Sequence, residues 1–242
     1  MSDTYVLVHG AWHTGAELEP VAEHMRRAGH QVHCVTLAGN RPGDDRRTSG
    51  LDDAIASVLD FLTRNNLQQV RLVGHSYGGM VISGVADRAV RRIRRLVYWN
   101  AFVPRRGECL NDLVPPHYVA LFDSLAKAHD NAVVLPEMIW RDAFINDADA
   151  ALAAQAYRRL NPQPYRTFTD KIALTTELAD MGIGKSYLNF TEDAAMPHSL
   201  GWHPRLSERL GLYRLVQASG SHEVCFTNPA LLAQKIIEAG RD

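Results

Sequence analysis

Val70-Arg-Leu-Val-Gly-His-Ser-Tyr-Gly-Gly79 combines, within ten residues, the patterns of a buried strand, a sharp turn and the start of a helix. Residues 70–73, Val-Arg-Leu-Val, are mostly apolar and predict a short strand of a parallel sheet. The next five residues, 74–78, fit the pattern G-x-S-x-G, and small residues follow from Met80 onward. This order predicts an α/β unit with Ser76 at the tip of the turn.

Outward from this stretch, short apolar runs alternate with helical patterns. The other predicted strands are 5–8, 31–36, 95–99, 185–190 and 212–216. Predicted helices cover 20–28 and the regions that begin at 51, 80 and 229, the last with Asn228 as N-cap. Alternating strands and helices predict a mostly parallel six-stranded sheet with helices on both faces.

Residues 105–181 interrupt this alternation. They contain no convincing strand, five prolines, and helix-forming pieces such as 147–160. We expect an α/β core formed by residues 1–104 and 182–242, with 105–181 inserted between the fourth and fifth strands as a helical cap. Such an insertion would lie over the carboxyl edge of the sheet, where α/β proteins bind ligands. A single domain with one long excursion is the alternative.

Composition narrows the class of protein. The 242 residues are 46% hydrophobic and 22% charged, and the formal net charge is −1, which argues against a nucleic-acid partner or a charge-held membrane partner. No apolar run reaches the roughly 18 residues that span a bilayer, and the N-terminus lacks signal-peptide features. The three cysteines are widely spaced, which argues against a disulfide framework and a zinc site. A cytoplasmic enzyme is expected, and a homodimer is left open.

Ser76 needs a base, because a serine hydroxyl is a weak nucleophile on its own. We call the turn at residues 74–78 the elbow. In hydrolases with a serine on such a turn between a strand and a helix, the chain order is Ser, then Asp or Glu, then His. Three histidines follow the fifth predicted strand: His198, His203 and His222. Only His222 lies in the loop directly after the last strand, which makes it the predicted base.

The orienting acid should follow the fifth strand, where Glu192 and Asp193 are neighbours. Adjacent residues at a strand end point in different directions, so at most one of them faces His222. The alternative role for either carboxylate is to cap the helix that follows. A hydrolase of this kind also needs two backbone N–H groups for the oxyanion, and those of Ala11 and Tyr77 are predicted. The loop after the first strand supplies Ala11, and the elbow supplies Tyr77.

Four segments together carry a family resemblance: 6–13, 74–79, 191–197 and 220–222. They resemble the α/β-hydrolase superfamily, and in particular its compact branch of plant methylesterases, hydroxynitrile lyases and bacterial esterases of the pyrethroid-hydrolase type. The resemblance covers both ends of the chain and fades through 105–181. It implies the strand order 2-1-3-4-5-6, a helical cap and no cofactor or metal. It also implies that the acid is Asp193, four residues before Pro197.

Departures from the pattern separate the sub-branches. Hydroxynitrile lyases are similar in this region but carry Thr where Gly10 stands and Lys where Glu223 stands. A carboxylate at the second position would repel cyanide, so the lyase activity is disfavoured. Ser76 excludes the relatives that use an aspartate nucleophile. Asn100 stands where many bacterial relatives place Asp.

The sequence therefore predicts a serine hydrolase that cleaves a small to medium, fairly apolar carboxylic ester through an acyl-enzyme. Candidate substrate-binding residues are Trp12, His13, Trp140 and Glu223. One alternative is a thioester, lactone or polyketide-type acyl hydrolase or cyclase with the same triad, which would turn over thioesters faster than matched esters. Another is a non-catalytic ligand-binding member of the fold, which would bind tightly without turnover.

Overall fold

A single parallel sheet organises the chain in the computed structural model, which describes residues 2–242. Its strands run in the order β2-β1-β3-β4-β5-β6, and every neighbouring pair is parallel. The predicted order is therefore confirmed. The strands are β1 (Thr4–Val8), β2 (Gln31–Val35), β3 (Val70–His75), β4 (Ile93–Trp99), β5 (Gly184–Phe190) and β6 (Arg214–Ala218).

Longer helices cover the sheet and the region between β4 and β5. They are α1 (Glu19–Arg27), α2 (Leu51–Arg64), α3 (Gly78–Ala89), α4 (Pro116–Ala128), α5 (Ala150–Tyr157) and α6 (Pro229–Gly240). Local sequence sets several of their ends. The Asn228 side chain accepts a hydrogen bond from the Leu231 N–H at 3.1 Å, and α1 is followed by Gly29 at φ +93°.

The sheet separates two apolar layers, because successive side chains of a strand point to opposite faces. In β1, Val6 and Val8 belong to one cluster, whereas Tyr5 and Leu7 belong to the other. Helices α1 and α6 supply the second cluster, and α2, α3 and residues between β4 and β5 supply the first. Both faces of the sheet are therefore covered, as the alternation of strands and helices predicts.

Residues 105–181, here called the inserted segment, connect β4 to β5. Besides α4 and α5, they contain a π-helical turn at Trp140–Phe144 and helical turns at Leu110–Asp112, Glu137–Ile139, Arg166–Thr169 and Leu178–Asp180. The prediction of no strand here is corrected by a small antiparallel pair, Ala132–Val133 with Gln163–Pro164. Strands of two residues are too short to produce a hydrophobic period.

Short helical turns complete the rest of the chain. They are Gly15–Leu18, Val90–Arg92, His198–Leu200, Ser207–Leu210 and Val224–Thr227. Strand β6 begins at Arg214, two residues later than predicted. Leu212, the first residue of the predicted strand, is exposed and lies outside it. In residues 2–242 no helix combines the length and apolar character that a membrane crossing requires.

Candidate active site

Ser76 lies in a tight turn between β3 and α3, with φ at +52°. A left-handed backbone is unusual for a residue with a side chain. The turn is closed by glycines that cannot be replaced without a clash. A Cβ at Gly74 would lie 2.7 Å from the Gly78 carbonyl oxygen, and one at Gly78 would lie 2.8 Å from the His9 carbonyl oxygen. The pattern G-x-S-x-G thus corresponds to a backbone geometry that needs these glycines.

His222 and Asp193 meet across the loops that follow β6 and β5. Nδ1 of His222 lies 2.5 Å from Oδ2 of Asp193, and both side chains are buried. Burial on its own would lower the pKa of His222. The charge of Asp193 and its hydrogen bond outweigh that effect, so the pKa of His222 lies above its ordinary value.

The neighbouring acid has a different partner. Glu192 is exposed and accepts a hydrogen bond from the Ser219 hydroxyl. The structure therefore brings Asp193, rather than Glu192, to His222. Of the other two histidines considered, His203 pairs with the Ser207 hydroxyl at 2.7 Å, and His198 is exposed.

Asn100 is a polar residue at this site that sequence reasoning flagged without a role. Its Nδ2 donates to Oδ2 of Asp193 at 2.6 Å, and its Oδ1 accepts from the Phe190 N–H at 2.7 Å. The second bond fixes which end of the amide faces Asp193. The other carboxylate oxygen, Oδ1, accepts from the Ala195 N–H at 2.8 Å. Asp193 is thus held by three donors.

The backbone donors predicted for an oxyanion are both free. Within residues 2–242, neither the Ala11 N–H nor the Tyr77 N–H donates to another protein group. The carbonyl of Gly10 lies 2.7 Å from Nδ1 of His9, whose Nε2 accepts from the Leu37 N–H at 3.1 Å. The second bond leaves the ring proton on Nδ1, so His9 donates to that carbonyl.

A trans peptide points its N–H opposite its carbonyl. With the Gly10 carbonyl bound by His9, the Ala11 N–H therefore points to the other side of the loop. Burial lowers the pKa of His9 to about 4, so its ring stays neutral above that pH and keeps this arrangement.

Ser76, His222, Ala11 and Tyr77 all line one pocket of about 360 Å³. Apart from the serine and the histidine, its walls are almost entirely apolar and aromatic. They come from both the core and the inserted segment, and comprise Trp12, Phe102, Leu110, Val114, Tyr118, Phe122, Phe144, Phe168, Ala195, Met196 and Trp202. Trp202 stacks on the His222 ring with 5.3 Å between centroids.

Of the four predicted substrate-binding residues, only Trp12 lines this pocket. His13, Trp140 and Glu223 are packed together away from it. Nε2 of His13 lies 3.5 Å from Oε2 of Glu223, and both side chains are buried. The indole of Trp140 lies 5.8 Å from the His13 ring and donates to the Ala153 carbonyl at 3.0 Å.

Three potential metal ligands lie close together near the site. In the described part of the chain, donor atoms of His75, His222 and Glu223 lie within 4.8 Å of one another. Nε2 of His75 already pairs with the His222 carbonyl at 3.0 Å, and Nδ1 of His222 pairs with Asp193. Hydrogen bonds between the elbow and the histidine loop account for this grouping without a cation.

The chain is similar to known proteins in its family pattern, its sequence and its structure. The model of the alpha/beta hydrolase family matches residues 5–235. A carbendazim hydrolyzing esterase of Nocardioides sp. (strain SG-4G) is 34% identical over 246 aligned residues, covering 98% of this chain and 99% of that protein. Methylesterase 18 of Arabidopsis thaliana is 41% identical over 106 residues, which are 43% of this chain and 40% of that protein.

A solved structure is also similar over the whole length. It is an extracellular α/β-hydrolase from a Paenibacillus species, described as sharing structural and functional homology with tobacco salicylic acid binding protein 2. It superimposes with a TM-score of 0.95 at 34% identity, covering 99% of this chain and 100% of that one.

Proposed function

This chain belongs to the α/β-hydrolase family and is a carboxylic ester hydrolase, and from that premise we propose that Ser76 is its nucleophile. The family predicted from the sequence is thereby confirmed. The observation that carries the proposal is the pocket that both Ser76 and His222 line, with Asp193 bonded to Nδ1 of the imidazole. A serine, a base and an acid in that relation are the parts of acyl transfer.

In the proposed reaction, the Ser76 hydroxyl attacks the ester carbonyl while His222 takes its proton at Nε2. Asp193 accepts the Nδ1–H of the same ring, which selects the tautomer with Nε2 free and stabilises the imidazolium that forms. The imidazolium then gives its proton to the leaving alcohol. Water, deprotonated by His222, releases the acid from the acyl-enzyme.

Negative charge develops on the carbonyl oxygen during both steps. We propose that the N–H groups of Ala11 and Tyr77 bind it. Both line the pocket and neither has a competing acceptor within residues 2–242. Donors that point at the developing charge before the reaction stabilise the transition state more than the substrate, and each contributes about 2.7 to 4 kcal/mol.

The proposed substrate is a small to medium ester with an apolar, aromatic-compatible body. The pocket is narrow and closed in by side chains of both the core and the inserted segment, which suits a compact ligand. Phe144 and Trp202 pack against the His222 ring, and Trp12 packs edge-on against Phe144. No charged side chain lines the walls, so a charged acyl group would lose its hydration without compensation.

We propose that the inserted segment acts as a cap over the core, which comprises residues 1–104 and 182–242. Five of the wall residues belong to that segment in or beside its helices, and a sixth lies in the π-helical turn: Leu110, Val114, Tyr118, Phe122, Phe168 and Phe144. A wall built from a separate excursion of the chain can vary in shape while the catalytic residues stay on the core.

The proposed compartment is the cytoplasm. Cys34, Cys109 and Cys225 are all unpaired, as expected for a protein in a reducing environment. Burial raises the pKa of each of these thiols, so they are poor nucleophiles and leave Ser76 as the proposed reactive group.

The test is hydrolysis of p-nitrophenyl esters from acetate to octanoate by the wild type and by Ser76→Ala. Turnover is expected with short and medium acyl groups, and the variant should lose about 10⁶-fold in kcat because the triad acts as a unit. Matched thioesters separate the acyl-hydrolase alternative. A folded wild type that binds these esters without turning them over would overturn the proposal.

A further inference from the structure

Trp12 connects the proposed oxyanion hole to the substrate pocket, since it follows Ala11 in the chain and lines the pocket. Its backbone has φ at +65°, a left-handed conformation that costs a bulky residue about 1–2 kcal/mol. Strain of this kind persists only where the surroundings impose it, and it is found most often near functional sites.

Four hydrogen bonds hold Trp12 in this left-handed conformation, and the partner groups of all four lie in the inserted segment. The Trp12 N–H donates to Oε1 of Gln163 at 3.0 Å, and the indole Nε1–H donates to the Val133 carbonyl at 2.9 Å. The Trp12 carbonyl accepts from both the backbone N–H and Nδ2 of Asn161, at 2.8 and 2.9 Å. Both peptide groups that flank the Trp12 Cα are therefore held from outside the core.

Gln163, which accepts from the Trp12 N–H, has no exposed surface. Its amide orientation is determined by its partners. Oε1 accepts from the Trp12 N–H and from Nδ2 of Asn40 at 2.9 Å, while Nε2 donates to Oγ1 of Thr167 at 2.9 Å. The Thr167 hydroxyl in turn donates to the Pro164 carbonyl at 2.6 Å. All of these bonds are mutually consistent, as a buried polar network requires.

The same hydrogen bonds also restrain the backbone of Ala11. The peptide before Ala11 is fixed by His9 at the Gly10 carbonyl. The peptide after it is fixed at the Trp12 N–H by Gln163, while its carbonyl lies 2.7 Å from Nδ1 of His13. Because each peptide group is planar, fixing the second one restrains the two backbone angles of Ala11, so the first peptide, which carries the Ala11 N–H, is less free to turn.

We infer that Gln163 is a positioning residue for the oxyanion hole, through which the inserted segment holds the Ala11 N–H in the direction of the reacting carbonyl. The inference rests on the proposed function, because it assigns Gln163 a part only if Ala11 binds the oxyanion. Gln163 touches neither the pocket nor the reacting atoms. Its effect on catalysis is therefore exerted through Trp12 and Ala11.

The experiment compares Gln163→Met with Thr167→Val as the matched control. Methionine keeps the unbranched shape but leaves the Trp12 N–H without an acceptor. Valine breaks the same buried network on its far side and leaves that N–H bonded. Both variants should lower Tm. Only Gln163→Met should lower kcat for p-nitrophenyl esters, by about 10- to 100-fold with KM within twofold, since a displaced donor costs less than an absent one.

A transition-state mimic gives a second readout. The Ser76 oxygen adds to the boron of phenylboronic acid and its proton passes to His222, forming a tetrahedral anion with an oxygen in the oxyanion hole. Its inhibition constant should rise by the same factor in Gln163→Met and stay near the wild-type value in Thr167→Val. Gln163→Glu keeps an acceptor for the Trp12 N–H, and it should recover most of the lost kcat.

The results distinguish a positioning role of Gln163 from a purely structural one. Equal kcat in Gln163→Met and Thr167→Val, with Tm lowered in both, would make Gln163 a structural residue and overturn the inference alone. Full turnover by Ser76→Ala would overturn the proposed function, and the inference with it. If Gln163→Met does not fold, Asn161→Ala removes one bond to the Trp12 carbonyl. It should then lower kcat about threefold at unchanged KM, and an unchanged kcat would be the contradicting outcome.

Discussion

Two adjacent carboxylates, Glu192 and Asp193, differ in surroundings more than their positions in the chain suggest. Asp193 is buried and accepts bonds from His222, Asn100 and Ala195. Glu192 is exposed and pairs with Ser219. Asp193→Asn should therefore lower kcat by about 10⁴-fold, because an amide can present a donor to Nδ1 and stabilise the wrong tautomer of His222.

Glu192→Gln is the matched control, since it makes the same chemical change one residue away. It should keep kcat within about twofold, as is usual for an exposed side chain. Steady-state kinetics on a p-nitrophenyl ester measure both variants. Greater damage from Glu192→Gln than from Asp193→Asn would reverse the proposed assignment.

The expected pH dependence of activity follows from the proposed role of His222, since a base must be neutral to accept a proton. Its pKa is raised above 6.5, so kcat/KM should fall as the pH decreases through a midpoint above that value. The charged or titratable groups around this ring and its partner are Asp193, Glu223, His75 and Tyr118. Burial holds the pKa of His75 well below 6.5, so that ring adds no charge in the same range.

The direction of the pKa shift of His222 can be tested by removing the charge of Asp193. Asp193→Asn takes away the charge that raises the pKa of His222, so the acid side of the kcat/KM profile should move to lower pH. The residual activity of the variant is measured between pH 5 and 9 beside the wild type. An acid limb that stays in place would mean that another group controls it.

At the residue scale, the site predictions depend on what short motifs encode. Ser76 follows from the elbow pattern and His222 from chain order, whereas the choice of Asp193 needed the family resemblance. Asn100 and Gln163 could not be assigned in this way. Their partners are 93 and 151 residues away along the chain, and no local pattern reports a hydrogen bond over such a separation.

At the scale of elements, the elbow shows why the strand–turn–helix unit was readable from sequence. Gly78 begins α3, where alanine would normally stabilise a helix by about 1 kcal/mol. Here a Cβ would lie 2.8 Å from the carbonyl oxygens of both Val8 and His9. Since β1 is bonded on both sides within the sheet, its backbone cannot move away.

Gly78→Ala should therefore lower the free energy of unfolding by about 1–3 kcal/mol, as overpacked sites do. Gly182→Ala serves as the control, because a Cβ there meets nothing within 4 Å, and its effect should be within about 0.5 kcal/mol. Urea unfolding followed by circular dichroism measures both. Equal stability of the two variants would show that the elbow can relax around the added carbon.

Strands and helices with a long hydrophobic period were predicted to within a few residues, whereas the small elements of the inserted segment were not. The pair Ala132–Val133 and Gln163–Pro164 has two residues in each strand. Helix α5 occupies only Ala150–Tyr157 of the predicted stretch, since Asp149 caps it by accepting from the Leu152 N–H at 2.8 Å. These boundaries depend on caps and tertiary contacts rather than on periodicity.

Over the whole molecule, the pocket is shared between the core, which holds the proposed triad, and the inserted segment, which supplies much of the remaining wall. Phe122 of α4 is a buried wall residue of that segment, with its ring stacked on Tyr118 at 5.6 Å and 5.1 Å from that of Phe168. It lies on a different element from Ser76 and His222. Phe122→Ala should therefore enlarge the pocket and leave the triad in place.

The expected result is a change in chain-length preference, because the added volume lies where a longer acyl group would extend. The ratio of kcat/KM for p-nitrophenyl octanoate to that for the acetate should rise about tenfold, the effect of one or two newly buried methylenes. Phe61→Ala removes the same ring from α2, where it packs against His33 outside the pocket. It should leave the ratio unchanged. An equal rise in both variants would trace the effect to general loosening, whereas a rise confined to Phe122→Ala would assign substrate size selection to the inserted segment.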